Sequence, residues 1–351
     1  MCYNTRMDKK FKVIFETIAG SHLYGTNTPE SDVDIRGVFI PPKPYFLGFQ
    51  HIEQQNVGGD DTVYFEIRKF LKLAVDCNTN IVELLFVPPD KWRIGTQEWE
   101  TIYANRKLFL SKKARWTFSG YAIAQLHRIK QHRVWLLNPP KGQPKRSDFG
   151  LPEDKALITK DQIGAFNALL AMYLETITHD HPLKTQLEEL VETRDFLGIV
   201  QSFANMPIEI TKAILPVDEN LMEAVHREKR YAQALREYNQ YEEWKKNRNV
   251  ARAELESRYG FDTKHGAHLY RLVTEGEELL KDGNITLPRP DADLLKEIRA
   301  GRYSYDGLME LVGDVDVRFN KLYETSTLPH KSNVTGVDEM CQDIVSKQIM
   351  E

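Results

Sequence analysis

Ile18-Ala19-Gly20-Ser21-His22-Leu23-Tyr24-Gly25-Thr26-Asn27-Thr28-Pro29-Glu30-Ser31-Asp32-Val33-Asp34-Ile35-Arg36-Gly37-Val38-Phe39-Ile40 places a glycine-serine turn ten residues ahead of an Asp-x-Asp pair. Val33 to Ile40 alternates as a strand does, and Val13 to Ile18 reads as the tail of a helix or a short strand. Side chains two apart on a strand share a face, so Asp32 and Asp34 are expected to converge while Val33 and Ile35 enter the core. Two adjacent carboxylates repel each other, and Mg²⁺, a hard cation that shares oxygen ligands with substrate phosphates, relieves that repulsion. Gly20 lets the backbone approach a phosphate, and the Ser21 hydroxyl and nearby N–H groups can donate to it. A plain polar hairpin would use the same turn formers, Asn27, Pro29 and Ser31. The Gly-Ser turn upstream and the apolar strand around the second aspartate favour nucleotidyl transfer instead.

Gly20-Ser21-x10-Asp32-x-Asp34 resembles the signature of the DNA polymerase β-type nucleotidyltransferase superfamily. The wording GSHLYGTNTPESDVDIRGVFI is similar to the YcgL-like, RNA-repair-associated predicted nucleotidyltransferases and their phage relatives. The resemblance extends to residues 66–86, 118–129 and 259–280. It implies a mixed sheet with a third acidic residue on a neighbouring strand. Asp61 and Glu66 are the candidates in Asp61-Thr62-Val63-Tyr64-Phe65-Glu66, on opposite faces of a regular strand, and Glu66, at the strand end before a helix, is preferred. Metals and positioning dominate this type of transfer. The metal site is therefore expected to be Asp32, Asp34 and Glu66, with Asp61 as the alternative third carboxylate. Mg²⁺ or Mn²⁺ would serve as cofactor and an NTP as substrate.

The chain has 351 residues and a net charge of −4, so two domains are expected and there is no global electrostatic case for nucleic acid. It has no apolar run of about 18 residues or more and a polar start from Met1 to Lys10, which reads as cytoplasmic and without a membrane partner. Cys2, Cys77 and Cys341 are too scattered for a zinc site or a disulfide framework.

The first hundred or so residues read as α/β. Strands are expected at Val33 to Ile40 and Thr62 to Phe65, and a hairpin arm at His51 to Val57 turns through Gly58-Gly59-Asp60-Asp61. Short helices are expected at Ile67 to Asp76 and Ile81 to Phe86, the second capped by Asn78-Thr79-Asn80. Asn78 and Glu83 carry a structural reading and, alternatively, one near the site.

From Glu98 onward helix dominates. Lys107 to Leu136 mixes apolar positions with Lys112, Lys113, Arg115, Arg128 and Arg133, and a basic loop follows from Pro139 to Arg146. Together they read as a solvated face or as a groove for nucleic acid or triphosphate, with Trp116, Tyr121 and Trp135 nearby. Leu151 to Leu215 reads as helix broken by prolines, Leu221 to Arg258 as one long amphipathic stretch, and the segment from Thr325 as a polar, loosely ordered tail.

Asp262 or Thr263 can cap a helix on which Lys264, His268 and Arg271 share one face. Such a cationic face can receive a triphosphate, Arg bidentately and Lys as a point charge, while the plain alternative is a solvated face with Glu275 as internal partner. The match to the family's Lys-His-Arg segment favours a nucleotide site at Gly20, Ser21, Lys264, His268 and Arg271. His265 and His268 lack a completing ligand at suitable spacing for zinc.

The expected architecture is α+β: a small mixed-sheet, polymerase-β-like nucleotidyltransferase domain over residues 8–100, a large helical domain over 101–325 that adds nucleotide and acceptor contacts, and a tail over 326–351. The expected reaction moves an NMP from an NTP to an acceptor hydroxyl with release of pyrophosphate. By association with RNA repair, the acceptor ranked first is an RNA 3′ end, with tRNA among the candidates. The alternatives are an idle nucleotide- or RNA-binding module, and nucleotidylation of a protein or small molecule. The preferred NTP, the acceptor and the oligomeric state are not legible.

Overall fold

The computed structural model describes residues 10–57, 61–157, 219–248 and 250–350. The proline-broken helix expected between Leu151 and Leu215 therefore lies almost wholly outside the described residues.

Five strands form one mixed sheet: β1 (Lys12–Ile18), β2 (Ile35–Ile40), β3 (Gln54–Asn56), β4 (Thr62–Glu66) and β5 (Trp92–Gly95), in the order β3-β4-β2-β1-β5. β1 runs antiparallel to β2 and β5, β3 antiparallel to β4, and β2 parallel to β4. Thus Val13 to Ile18 is strand, and the arm around Gln54 pairs as expected. β2 begins at Ile35 rather than Val33, so the two aspartates sit in the extended segment just ahead of it. Val33 is 49% exposed instead of entering the core, because it precedes the first paired residue of β2, beyond the side-chain layer that covers the sheet.

One face of the sheet carries the main core. Phe15 stacks on Trp99 with ring centroids 3.8 Å apart, and Phe70 meets the same Trp99 edge-on at 5.5 Å. Phe70 belongs to α3 (Ile67–Val75), whose apolar side is buried, and Trp99 to α5 (Gln97–Ala104). The other face holds a small cluster of Phe11, Phe39 and Tyr64. Between these strands lie the short helices α1 (Gly20–Tyr24), α2 (Pro44–Leu47) and α4 (Thr79–Val82), the last running into a 3₁₀ turn over Glu83–Phe86.

Two compact units emerge. The first, Met1–Leu137 with Val250–Glu351, adds to the sheet α6 (Ala114–Leu137), then, beyond α7 (Glu219–Asn247) of the second unit, α8 (Val250–Tyr259), α9 (Thr263–Asp282), α10 (Ala292–Arg299), α11 (Tyr305–Val312), α12 (Val315–Thr325) and α13 (Val334–Met350). One hydrophobic cluster runs from Ile14 and Val38 through Phe118 and Leu272 to Phe319 and Val345. α6 and α9 meet closely at Gly276, where a Cβ would stand 2.7 Å from Phe118 and Phe319. Glycine there permits the approach. The second unit, Asn138–Asn249, contains α7, on which Glu228 receives the Arg146 guanidinium at 2.6 and 3.0 Å and Tyr231 meets Phe149.

Two expectations change. The stretch Leu221 to Arg258 is interrupted between Asn247 and Val250, where Asn247 and Asn249 flank Arg248 and asparagine is a poor helix former. The segment after Thr325 is not a loose tail, since α13 buries Val337, Met340, Ile344 and Val345 as a one-sided stripe. Among the described residues, no helix is long and apolar enough to cross a membrane.

Candidate active site

Gly20 opens α1 at φ +63°, and the Ala19 N–H donates to the Asp34 carbonyl at 2.8 Å. A Cβ on Gly20 would collide with the Asp34 carboxylate. The turn therefore needs glycine twice over, for its left-handed backbone and for the carboxylate lying against it. α1 ends at Gly25, and the Thr26 N–H returns to the Ser21 carbonyl at 2.8 Å. Asp32 is exposed and Asp34 half-buried, with only a long 3.9 Å pairing to Arg36. Arg36 spends a shorter bond, 2.8 Å, on the Asp61 carbonyl.

The third carboxylate is where the sequence reading needs correction. β2 and β4 are parallel with Ile35 opposite Thr62 and Phe39 opposite Glu66, and the Ile35 N–H donates to the Asp61 carbonyl at 2.7 Å. Asp61 is therefore level with Asp34, while Glu66 lies five residues further along, roughly 16 Å at strand rise. Glu66 is also engaged elsewhere. It is 2% exposed, caps α3 by accepting from the Lys69 N–H, and pairs with Arg68 at 2.8 Å. Asp61 is exposed at the aspartate end of the sheet. Among the described residues, no group of three or more His, Cys, Asp or Glu side chains is gathered to hold a metal ion.

Opposite the aspartates stands the start of α9. Gly20, Ser21, Tyr24, Asp32 and Asp34 share a cleft of about 350 Å³ with Lys264, His265, His268, Arg271 and Arg299. The expected nucleotide residues are thus gathered on one cavity although more than two hundred residues separate them in sequence. Asp262 caps α9, accepting from the N–H groups of Lys264 at 2.9 Å and His265 at 3.1 Å.

Arg271 does not face the cleft as a free cation. Its Nη1 donates to Glu83 at 2.9 Å and to both oxygens of Glu275 at 2.9 and 2.8 Å, and its guanidinium lies 4.0 Å from the Tyr24 ring centroid. The Tyr24 hydroxyl in turn donates to Glu83 at 2.9 Å. Burial pushes the Glu83 carboxyl up to about 7, against the pull of the Arg271 charge. The Tyr24 hydroxyl is raised for the same reason, burial. Glu83, structural or near the site on sequence grounds, is both.

Arg271 Nη2 also lies 3.0 Å from His268 Nδ1. A guanidinium can only donate, so Nδ1 accepts and the ring proton sits on Nε2. Burial, followed by the neighbouring Arg271 charge, holds His268 down to about 3. It is a neutral hydrogen-bonding group at ordinary pH rather than a cation, and Tyr121 meets its ring edge-on at 5.3 Å.

Sequence reasoning missed two participants. Tyr24 lies within the turn motif itself, four residues after Gly20. Arg299 comes from a distant element, and no periodicity links it to the motif.

A mixed five-stranded sheet with a Gly-Ser turn and Asp-x-Asp at one end, followed by many helices, is the architecture of a polymerase-β-like core with a helical C-terminal region. Residues 4–143 match the profile of the RNA repair pathway DNA polymerase beta family, a match consistent with a polymerase-β-type nucleotidyltransferase core in this part of the chain. The chain is similar to an uncharacterized 38.9 kDa protein of Enterobacteria phage T4 from the nrdC-mobD intergenic region, 23% identical over 322 residues that cover 87% of each chain. It is also similar to an uncharacterized protein of Methanocaldococcus jannaschii, 32% identical over 116 residues, 31% of this chain and 46% of that one. No solved structure gives a significant match.

Proposed function

We propose that the chain is a divalent-metal-dependent nucleotidyltransferase that moves an NMP from an NTP to an acceptor hydroxyl and releases pyrophosphate. The observation that carries this reading is the Asp34 carboxylate seated against Gly20 at the mouth of a cleft whose far wall is cationic. The site fits Mg²⁺ or Mn²⁺ in its donors: Asp32 and Asp34 offer hard oxygen ligands, and the missing Cβ at Gly20 leaves room for the carboxylate. Asp61, level with Asp34, is the third carboxylate we assign to it. A divalent ion held there would neutralise phosphate charge and make an acceptor hydroxyl easier to deprotonate.

The chain's own groups then divide the work. The Ser21 hydroxyl and the backbone of the Gly20 turn donate to phosphate oxygens, Lys264 adds a point charge, and His268 offers a neutral N–H from Nε2. The acceptor favoured is an RNA 3′ end, supported by the RNA-repair description of the matching family. Its products would be extended RNA and pyrophosphate.

The test is transfer of label from each of the four α-labelled NTPs, with Mg²⁺ or Mn²⁺, to total RNA and to the protein itself. Label on RNA that disappears in Asp32→Ala/Asp34→Ala is expected. Label on protein would redirect the acceptor, and no label together with metal-indifferent NTP binding would sink the enzymatic reading in favour of a binding module.

A further inference from the structure

Three cations line the cleft across from the aspartates, Lys264, Arg271 and Arg299, and they are not equivalent. Arg271 is 5% exposed, its Nη1 is shared between Glu83 and Glu275, and its Nη2 is committed to His268. A guanidinium carrying two carboxylates is charge-compensated and has few donors left to turn toward an anion. The first turn of α9 offers no substitute, because Asp262 already takes the N–H groups of Lys264 and His265.

Arg299 is different. It is the last residue of α10, half-buried on the cleft, and among the described residues its guanidinium forms no ion pair with a carboxylate. Its backbone is fixed, however: the buried Thr263 hydroxyl donates to the Arg299 carbonyl at 2.9 Å. That bond ties the end of α10 to the start of α9, next to Lys264. A planar fork of donors and a point charge thereby line the same cleft as Asp32 and Asp34, the pair of groups that recognition of a phosphate chain uses.

We propose that Arg299, not Arg271, is the guanidinium that grips the phosphate chain of the substrate, and that Arg271 is a positioning residue holding Tyr24 and His268 in place. The proposal rests on the nucleotidyltransferase reading and names the polyphosphate as the part of the substrate this residue meets.

The experiment measures Kd by calorimetry on the full chain for each NTP and for inorganic tripolyphosphate, with Mg²⁺, in the native protein, Arg299→Gln, Arg299→Lys and Arg271→Lys. Arg299→Gln is expected to weaken both ligands tenfold or more at unchanged Tm, with partial recovery in Arg299→Lys. Arg271→Lys is expected to lower Tm and to change the ¹⁵N signature of the His268 ring, while losing less tripolyphosphate affinity than Arg299→Gln. Native-like binding by Arg299→Gln would overturn the assignment and leave the nucleotidyltransferase reading to label transfer. A native chain that binds neither NTP nor tripolyphosphate would overturn both.

Discussion

Gly20 is the residue with least freedom. Gly20→Ala forces a side chain onto a left-handed backbone, at about 1–2 kcal/mol, and drives the Asp34 carboxylate from its seat. We expect it to abolish metal-dependent NTP binding while a urea titration records only that modest loss, and unchanged binding would break the link between Gly20 and Asp34. Glu83 and His268 predict opposite pH dependences. The raised Glu83 carboxyl favours folding when protonated, so its contribution is full below the unfolded value of about 4.3 and is lost as pH rises through about 7. His268 favours folding when neutral, so its contribution is full above about 6.5 and is lost as pH falls toward about 3. Each group changes stability by at most about 1.4 kcal/mol per pH unit. Thermal melts should show Glu83→Gln flattening the decline between about pH 4.3 and 7, and His268→Asn flattening the decline below about pH 6.5. A Glu83→Gln profile parallel to native would remove Glu83 from this account.

Between elements, the contact of α6 with α9 is decided by Gly276. Gly276→Ala must push Phe118 or Phe319 aside, and a destabilisation of about 1–3 kcal/mol by urea titration is expected. Much of this architecture was legible locally. The strand after Asp34, the hairpin arm at Gln54, the helix from Ile67 and the Asp262-capped helix all follow from period and capping. What was illegible depends on neighbours. Alternation along β4 separates Asp61 from Glu66 by face but carries no register, and only the parallel pairing of Ile35 with Thr62 shows which of them stands level with Asp34. Similarly, the shared face of Lys264, His268 and Arg271 was correct for α9 alone, but Glu83 arrives from a separate turn and turns Arg271 inward. Polar residues between its apolar positions hid the stripe of α13.

For the whole molecule, the surprise is how much of the main core the C-terminal helix closes. Removing α13 after Asn333 exposes the partners of Val337, Met340, Ile344 and Val345. At about 1.5–3 kcal/mol for each buried apolar side chain the upper bound rivals a typical total stability of about 5–15 kcal/mol. Circular dichroism of the truncated chain should show no cooperative melt, whereas a native-like transition would mean that α13 is dispensable. The first unit joins residues up to Leu137 with residues from Val250, so its contacts span most of the chain. The order of synthesis then matters. The ribosome delivers the aspartates first and the cations of α9 and α10 only after a further two hundred residues and more, so a nascent chain that stops short of Lys264 owns one wall of a cleft and no other. By topology alone, the cleft is completed only when segments more than two hundred residues apart have both emerged.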